Sequence, residues 1–305
     1  MSYALSTSWN AARFSQGSGI IGEIKEAGFD EVELSFNLTG KIVKDILRLA
    51  HQKEIRVVSL HNYCPIPKRL AREYALPDVY SLASLDEKER KTAVYFTKKS
   101  IDYCAKFKAQ ALVLHCGYVL IQENTRTLIE LYSQGLKESQ EFTALKNRTQ
   151  EERKLKSRKY LSQAIKSLEE LSNYSQKLGV ALGVENRFYI REIPNFEEIG
   201  IILAHFQNQN IFYWHDTGHA QVMENLGFVV STYDFLKCYG RSLIGLHIHD
   251  VKLCRDHLAP LKGDLDFAKL KPYISNSILK VIEAHAPSTI EDIIDARRHL
   301  EQALG

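Results

Sequence analysis

Apolar residues along this chain gather into short runs, and six successive runs each end on an acid or a histidine: VVSLH at His61, ALVLH at His115, ALGVE at Glu185, IFYWHD at Asp216, LIGLH at His247 and ILKVIE at Glu283. A continuous apolar run of this length reads as a strand buried on both faces, the signature of a parallel sheet. Two earlier runs, near Tyr3–Ser8 and in DEVELSF around Glu33, bring the strand count to eight. Helical patterns lie between them. Ser18 is the expected N-cap of the first helix and Gly28 its C′ residue. Residues 42–52 form a second helix, and Ser84 with Glu87 forms a capping box for a third that runs to Phe107. Asn195 with Glu198, and Ser288 with Glu291, are capping signals for two later helices.

Strands alternating with helices imply right-handed parallel crossovers, and eight such units favour closure into a (β/α)8 TIM barrel. The expected organisation is one α/β unit over residues 1–305, interrupted by a charged helical insertion at about 120–160, after strand four. No Gly-rich phosphate fingerprint comes after the first strand, which argues against a dinucleotide fold. In a barrel, the C-terminal ends of all strands share one mouth. The six terminal acids and histidines are therefore expected to converge there.

The formal net charge of +3 and pI near 8.4 are too modest to imply a nucleic-acid partner. The first residues lack the basic and apolar regions of a secretory signal, and no stretch is long enough to span a membrane. The five cysteines show no CxxC spacing and read as reduced thiols in a cytoplasmic protein.

Glu185, Asp216, His247 and Glu283 end four consecutive strands, five through eight. Three carboxylates in one buried mouth repel each other unless a cation lies between them. The mixed oxygen and nitrogen set suits divalent Mn, Mg, Co or Zn. Asp216 and His219, three apart in DTGH, can face the same mouth. By strand alternation His247 and His249 share one side, while Asp250 belongs to the opposite side or the adjoining loop. His61 and His115 extend the rim as further metal ligands or substrate donors. His51, His205, His215 and His285 read as structural.

The segments GFDEVELSF, VSLHNYCP, LVLHCGY, LGVENR, HDTGHA, LHIHDVK and VIEAH together resemble the xylose isomerase-like barrel superfamily, from Gly28 to Glu283. That group includes sugar-phosphate isomerases and epimerases, inosose dehydratase-like enzymes and the endonuclease IV nucleases. The resemblance to the isomerases implies a metal on Glu185, Asp216, His247 and Glu283. It also implies that Glu185 and Glu283 exchange protons with a carbohydrate through an enediolate, while His219 and Arg187 hold substrate oxygens. The resemblance to endonuclease IV implies three zinc ions on His61, His115, Glu185, Asp216, His219, His247, His257, Glu283 and a ninth acid. Arg255 stands at that ninth position, with the acid displaced to Asp256, and Lys262 replaces a common loop acid. The first strand also lacks that family's histidine. The sequence thus favours a small-molecule carbohydrate isomerase or epimerase over a metal-dependent hydrolase or lyase of the nuclease type, with a non-catalytic member as a third reading.

Overall fold

The computed structural model describes residues 2–305. The eight expected strands are β1 (Ala4–Ser6), β2 (Glu31–Leu34), β3 (Arg56–His61), β4 (Ala111–Leu114), β5 (Ala181–Glu185), β6 (Ile211–Asp216), β7 (Leu243–Ile248) and β10 (Leu279–Ile282). They pair in parallel, in chain order, and β10 returns to β1 to close a (β/α)8 barrel. Between β7 and β10 lies a two-stranded antiparallel hairpin that the apolar pattern does not announce, β8 (Asp250–Lys252) with β9 (Arg255–Leu258). This connection carries a short 3-10 helix at Phe267–Tyr273 and no α-helix.

The strands alternate as buried parallel strands should. Leu5, Leu60, Leu112, Leu182, Leu246 and Ile282 join the layer between barrel and helices, whereas Ala4, Val58, Ala111, Val113, Trp214 and Val281 fill the barrel. Trp214 is the plug. A Cβ on Gly245 would overlap its six-membered ring, and one on Gly183 would lie 3.0 Å from Cε3. Glycines on the two strands flanking β6 therefore make room for the indole.

The helices are α1 (Gly17–Glu26), α2 (Gly40–His51), α3 (Glu87–Phe107), α4 (Thr125–Ser133), α5 (Gln140–Gln176), α6 (Phe196–His205), α7 (Thr217–Asn225), α8 (Asp234–Tyr239) and α9 (Ile290–Leu304). Asn195 and Glu198 form the expected capping box, and Gly28 lies just past α1 with φ +86°. Three other caps are displaced. Gln16, not Ser18, precedes α1; the Ser18 amide instead donates to Asp45 of α2. Asp86 caps α3 while Ser84 donates to Glu89, because the aspartate lies nearer the first free amides. Thr289 with Asp292 caps α9, one residue after Ser288 and Glu291. The charged stretch at 120–160 is helical, as α4 and the first part of α5, and the latter runs without a break into the helix packed on the barrel, so α5 reaches 37 residues. Among the described residues, no helix is long and apolar enough to cross a membrane. All five cysteines are free, and Cys238 alone is exposed.

Candidate metal centre and active site

Strand geometry brings the four predicted groups together. Glu185 and Asp216 are the last residues of β5 and β6, His247 is the penultimate residue of β7, and Glu283 comes directly after β10. One donor atom from each lies within 4.8 Å of the others, and all four residues are buried. His247 is central: its Nδ1 stands 2.7 Å from Glu185 Oε1, 3.0 Å from Glu283 Oε2 and 3.8 Å from Asp216 Oδ2. The floor beneath it is Trp214, whose ring meets the imidazole edge-on at 5.1 Å.

The other face of His247 meets a residue that the apolar pattern left without a role. Glu33 of β2 sits 3.0 Å from His247 Nε2 and accepts from Ser59 at 2.7 Å. The signal was an acid between Val32 and Leu34, both fully buried. An acid alternating with core residues must face the barrel interior. A carboxylate behind a ligand imidazole fixes which nitrogen faces the ion. Glu33 therefore turns Nδ1 of His247 toward the three carboxylates.

His61 and His115 join on the other side. His115 Nδ1 lies 3.2 Å from Asp78, a loop acid that no sequence pattern marks, and His61 Nδ1 lies 3.1 Å from the carbonyl of Asn62. Both rings consequently present Nε2 to Glu185 Oε2, at 2.7 Å for His115 and 3.7 Å for His61. The His115 nitrogen is off the hydrogen-bond axis, which leaves a buried polar atom without a partner. Such a donor set, two imidazole nitrogens and a carboxylate oxygen, fits a divalent cation. So do the four groups centred on His247.

Arg187 donates to Glu185 Oε2 at 3.0 Å and to Glu192 at 3.1 Å, with His219 Nδ1 3.2 Å from the same guanidinium. Glu192, another residue the sequence did not flag, lies in the β5–α6 loop. Asp256 faces the mouth 3.1 Å from His257 Nδ1 and 3.9 Å from His219 Nε2, whereas Arg255 is exposed on β9. The displaced acid thus borders the mouth and Arg255 does not. Asp250 ties down the loop instead of joining the site, accepting from the amides of Val251, Leu261, Gly263 and Leu265. Lys262 pairs with Asp292 on α9 at 2.7 Å.

His285 is a correction. It stacks on His257 with ring centroids 4.0 Å apart and lines the mouth, because its amide pairs with the His257 carbonyl and draws the hairpin over β10. The other three histidines read as structural lie away from the mouth: His215 faces outward against Tyr213, exposed His205 pairs with Glu169, and His51 is exposed at the end of α2.

The mouth is a cavity of about 540 Å³ whose walls include Glu185, Glu283, His61, His115 and Arg187. Asp216 and His247 do not border it and are fully buried below.

Burial would raise the Glu185 carboxyl, but the facing imidazoles of His247, His115 and His61 hold it well below the usual range. Burial would lower His247, yet Glu283, Glu33 and Glu185 push it well above an ordinary histidine. His115 rises to about 9: burial and Arg187 oppose the change, while Asp78 and Glu185 outweigh them. The raised imidazoles of His247 and His115 therefore favour the protonated form when no cation is bound, and a ligand imidazole must lose that proton. Loading with Mn²⁺ or Zn²⁺ should therefore release at least one proton per ion near pH 7, and the apparent affinity should rise with pH. Titration calorimetry in buffers of different ionisation enthalpy measures this; uptake without proton release contradicts ligation by His247.

A family model described as xylose isomerase-like TIM barrel matches residues 21–300. The chain belongs to this family. Among solved structures, this member of the xylose isomerase-like TIM barrel family is similar to a D-tagatose 3-epimerase-like protein at 20% identity, covering 100% of this chain and 97% of that one, with a TM-score of 0.68. It is likewise similar to the D-allulose 3-epimerase of Methylomonas sp. at 16% identity, 100% and 98% coverage and a TM-score of 0.69. The 3-keto-D-glucoside 4-epimerase of E. coli gives 13% identity, 99% coverage of both chains and a TM-score of 0.69. At these identities the likeness is one of fold. No curated protein matches the family member by sequence.

Proposed function

We propose that this chain is a divalent-metal-dependent isomerase or epimerase of a sugar or sugar phosphate, in which Glu185 and Glu283 exchange protons with the substrate. One observation carries the reading: of the four clustered metal-ligand candidates, only the two glutamates border the mouth, while Asp216 and His247 lie sealed beneath. Asp216 and His247 would serve only to hold the ion, and Glu185 and Glu283 would both hold it and face the substrate. A bound divalent cation would polarise a carbonyl and its neighbouring hydroxyl and so acidify the adjacent C–H. One glutamate takes that proton as a carboxylate. The other, once it has taken up a proton from a substrate hydroxyl or from water, returns a proton to the same or the neighbouring carbon. Arg187 and His219, side by side at the wall, are placed to hold substrate oxygens. The two solved epimerases and the epimerase-like protein named above support a carbohydrate substrate.

Incubating the manganese-loaded protein with a ketose panel in deuterated water tests the proposal. Deuterium should appear at one carbon next to the carbonyl, and a fully loaded protein that exchanges none of the panel contradicts it.

A second reading, metal-dependent phosphodiester hydrolysis, is favoured by the way His61 and His115 both turn Nε2 toward Glu185. It calls for more than one ion per chain and cleavage of apurinic DNA. One ion per chain and intact DNA remove it.

The positive charge on α5 does not enter either mechanism. Lys156 pairs with Glu152 on its own helix, and Lys159 lies over the Tyr160 ring. Neutralising Lys154, Lys156, Arg158 and Lys159 should leave kcat and KM unchanged, with stability shifted by no more than about 0.5 kcal/mol per charge. Steady-state kinetics and urea unfolding check this.

A further inference from the structure

Four groups beside the proposed centre, Asp216, His219, His249 and His257, each offer a donor atom within 4.8 Å of the others, the spacing of a further cation site. The hydrogen bonds of His249 decide against its being a ligand. Its Nδ1 accepts the backbone N–H of His257 at 2.9 Å. A neutral imidazole that accepts at one nitrogen carries its proton on the other. His249 Nε2 therefore bears hydrogen, and it points at the Asp216 carboxylate, 2.9 Å from Oδ1 and 3.0 Å from Oδ2. Ligation through Nε2 would move that proton to Nδ1, where it would meet the His257 amide hydrogen head-on.

The rest of the surroundings hold the ring in this role. Thr217 Oγ1 donates to the His249 carbonyl at 2.8 Å and accepts from its amide at 3.1 Å. A Cβ on Gly218 would overlap the His249 ring. His257 stacks on its far side, with centroids 4.1 Å apart and planes within 10°. The D-T-G-H and H-I-H-D segments are thus interlocked: the aspartate takes the proton, the threonine pins the backbone and the glycine leaves space.

We propose that His249 is a positioning residue for the metal centre, donating its Nε2–H to Asp216 and fixing the angle at which that carboxylate meets the ion. The proposal rests on the reading that Glu185, Asp216, His247 and Glu283 hold a divalent cation. Partners of this kind change metal affinity by about 10- to 100-fold when removed.

The test is Mn²⁺ titration of metal-stripped protein. His249→Ala should weaken binding by about 10- to 100-fold at unchanged stoichiometry. His249→Gln, whose terminal amide reaches as far as Nε2, should restore most of the affinity. Gly218→Ala should weaken it with the imidazole still present. Wild-type affinity in His249→Ala overturns the proposal. So does loss of one whole equivalent of Mn²⁺ with the remaining ion unaffected, because His249 would then be a ligand. Wild-type protein that takes up no Mn²⁺ overturns the metal reading and the positioning role together, an outcome distinct from the other two. Should His249→Ala fail to fold, ¹⁵N NMR of histidine-labelled, metal-free wild type answers directly: hydrogen on Nε2 supports the assignment, and hydrogen on Nδ1 overturns it.

Discussion

Glu283→Gln should reduce deuterium incorporation into a ketose substrate by about 10²- to 10⁴-fold, the usual contribution of a positioned acid or base. Glutamine keeps an oxygen toward the ion but can neither take nor give the proton. Metal content must be measured alongside, because Glu283 Oε2 also lies 3.0 Å from His247 and belongs to the proposed ligand set. Glu185→Gln should be the more damaging change. It removes the same proton chemistry and also the charge that faces Arg187, His115 and His247 at 3.0, 2.7 and 2.7 Å. Metal binding should weaken in that variant, and Arg187 would lose one of its two carboxylate partners. Undiminished exchange in a fully loaded Glu283→Gln protein would rule out the two-carboxylate mechanism.

Arg153→Met should destabilise the fold by about 3–5 kcal/mol, the range for stranding one member of a buried ion pair. Arg153 lies near the middle of α5 and donates to both oxygens of Glu198, at 2.9 and 2.7 Å, and to the Glu192 carbonyl at 2.8 Å. Both charged side chains are more than nine-tenths buried. Glu198 also closes the cap of α6 by accepting from the Asn195 amide at 2.9 Å. One guanidinium therefore ties the long helix to the start of α6 and to the loop that carries Glu192. Urea unfolding gives the loss, and adding Glu198→Gln should recover part of it by removing the unpaired charge. A change below about 1 kcal/mol would mean that the pair behaves as an exposed one.

The strand ends were legible because parallel strands buried on both faces are continuous apolar runs, so a terminal acid or histidine stands out against them. That sufficed for the barrel and for the cluster of Glu185, Asp216, His247 and Glu283. Glu33 was harder to read, since it lies inside a strand where only the alternation with Val32 and Leu34 marks it. Asp78, Glu192 and His285 sit in loops or past a strand end, where no periodicity fixes direction and only tertiary contacts do. The caps of α3 and α9 shifted by one or two residues because neighbouring Ser, Thr and Asp compete for the same free amides. The continuity of α5 was hidden for a different reason: its charged first half shows little of the apolar stripe that marks the second.

The indole of Trp214, wedged between Gly183 and Gly245, closes the lower half of the barrel directly under His247. Anything larger that the protein is to accommodate must be gained upward, by reshaping the loops that end the strands. The lower boundary is fixed, since a methyl group on Gly245 would overlap the indole and one on Gly183 would press against it. Chemistry and selectivity are in this way separable: the first is built on a fixed base, and the second can drift with the loops above it.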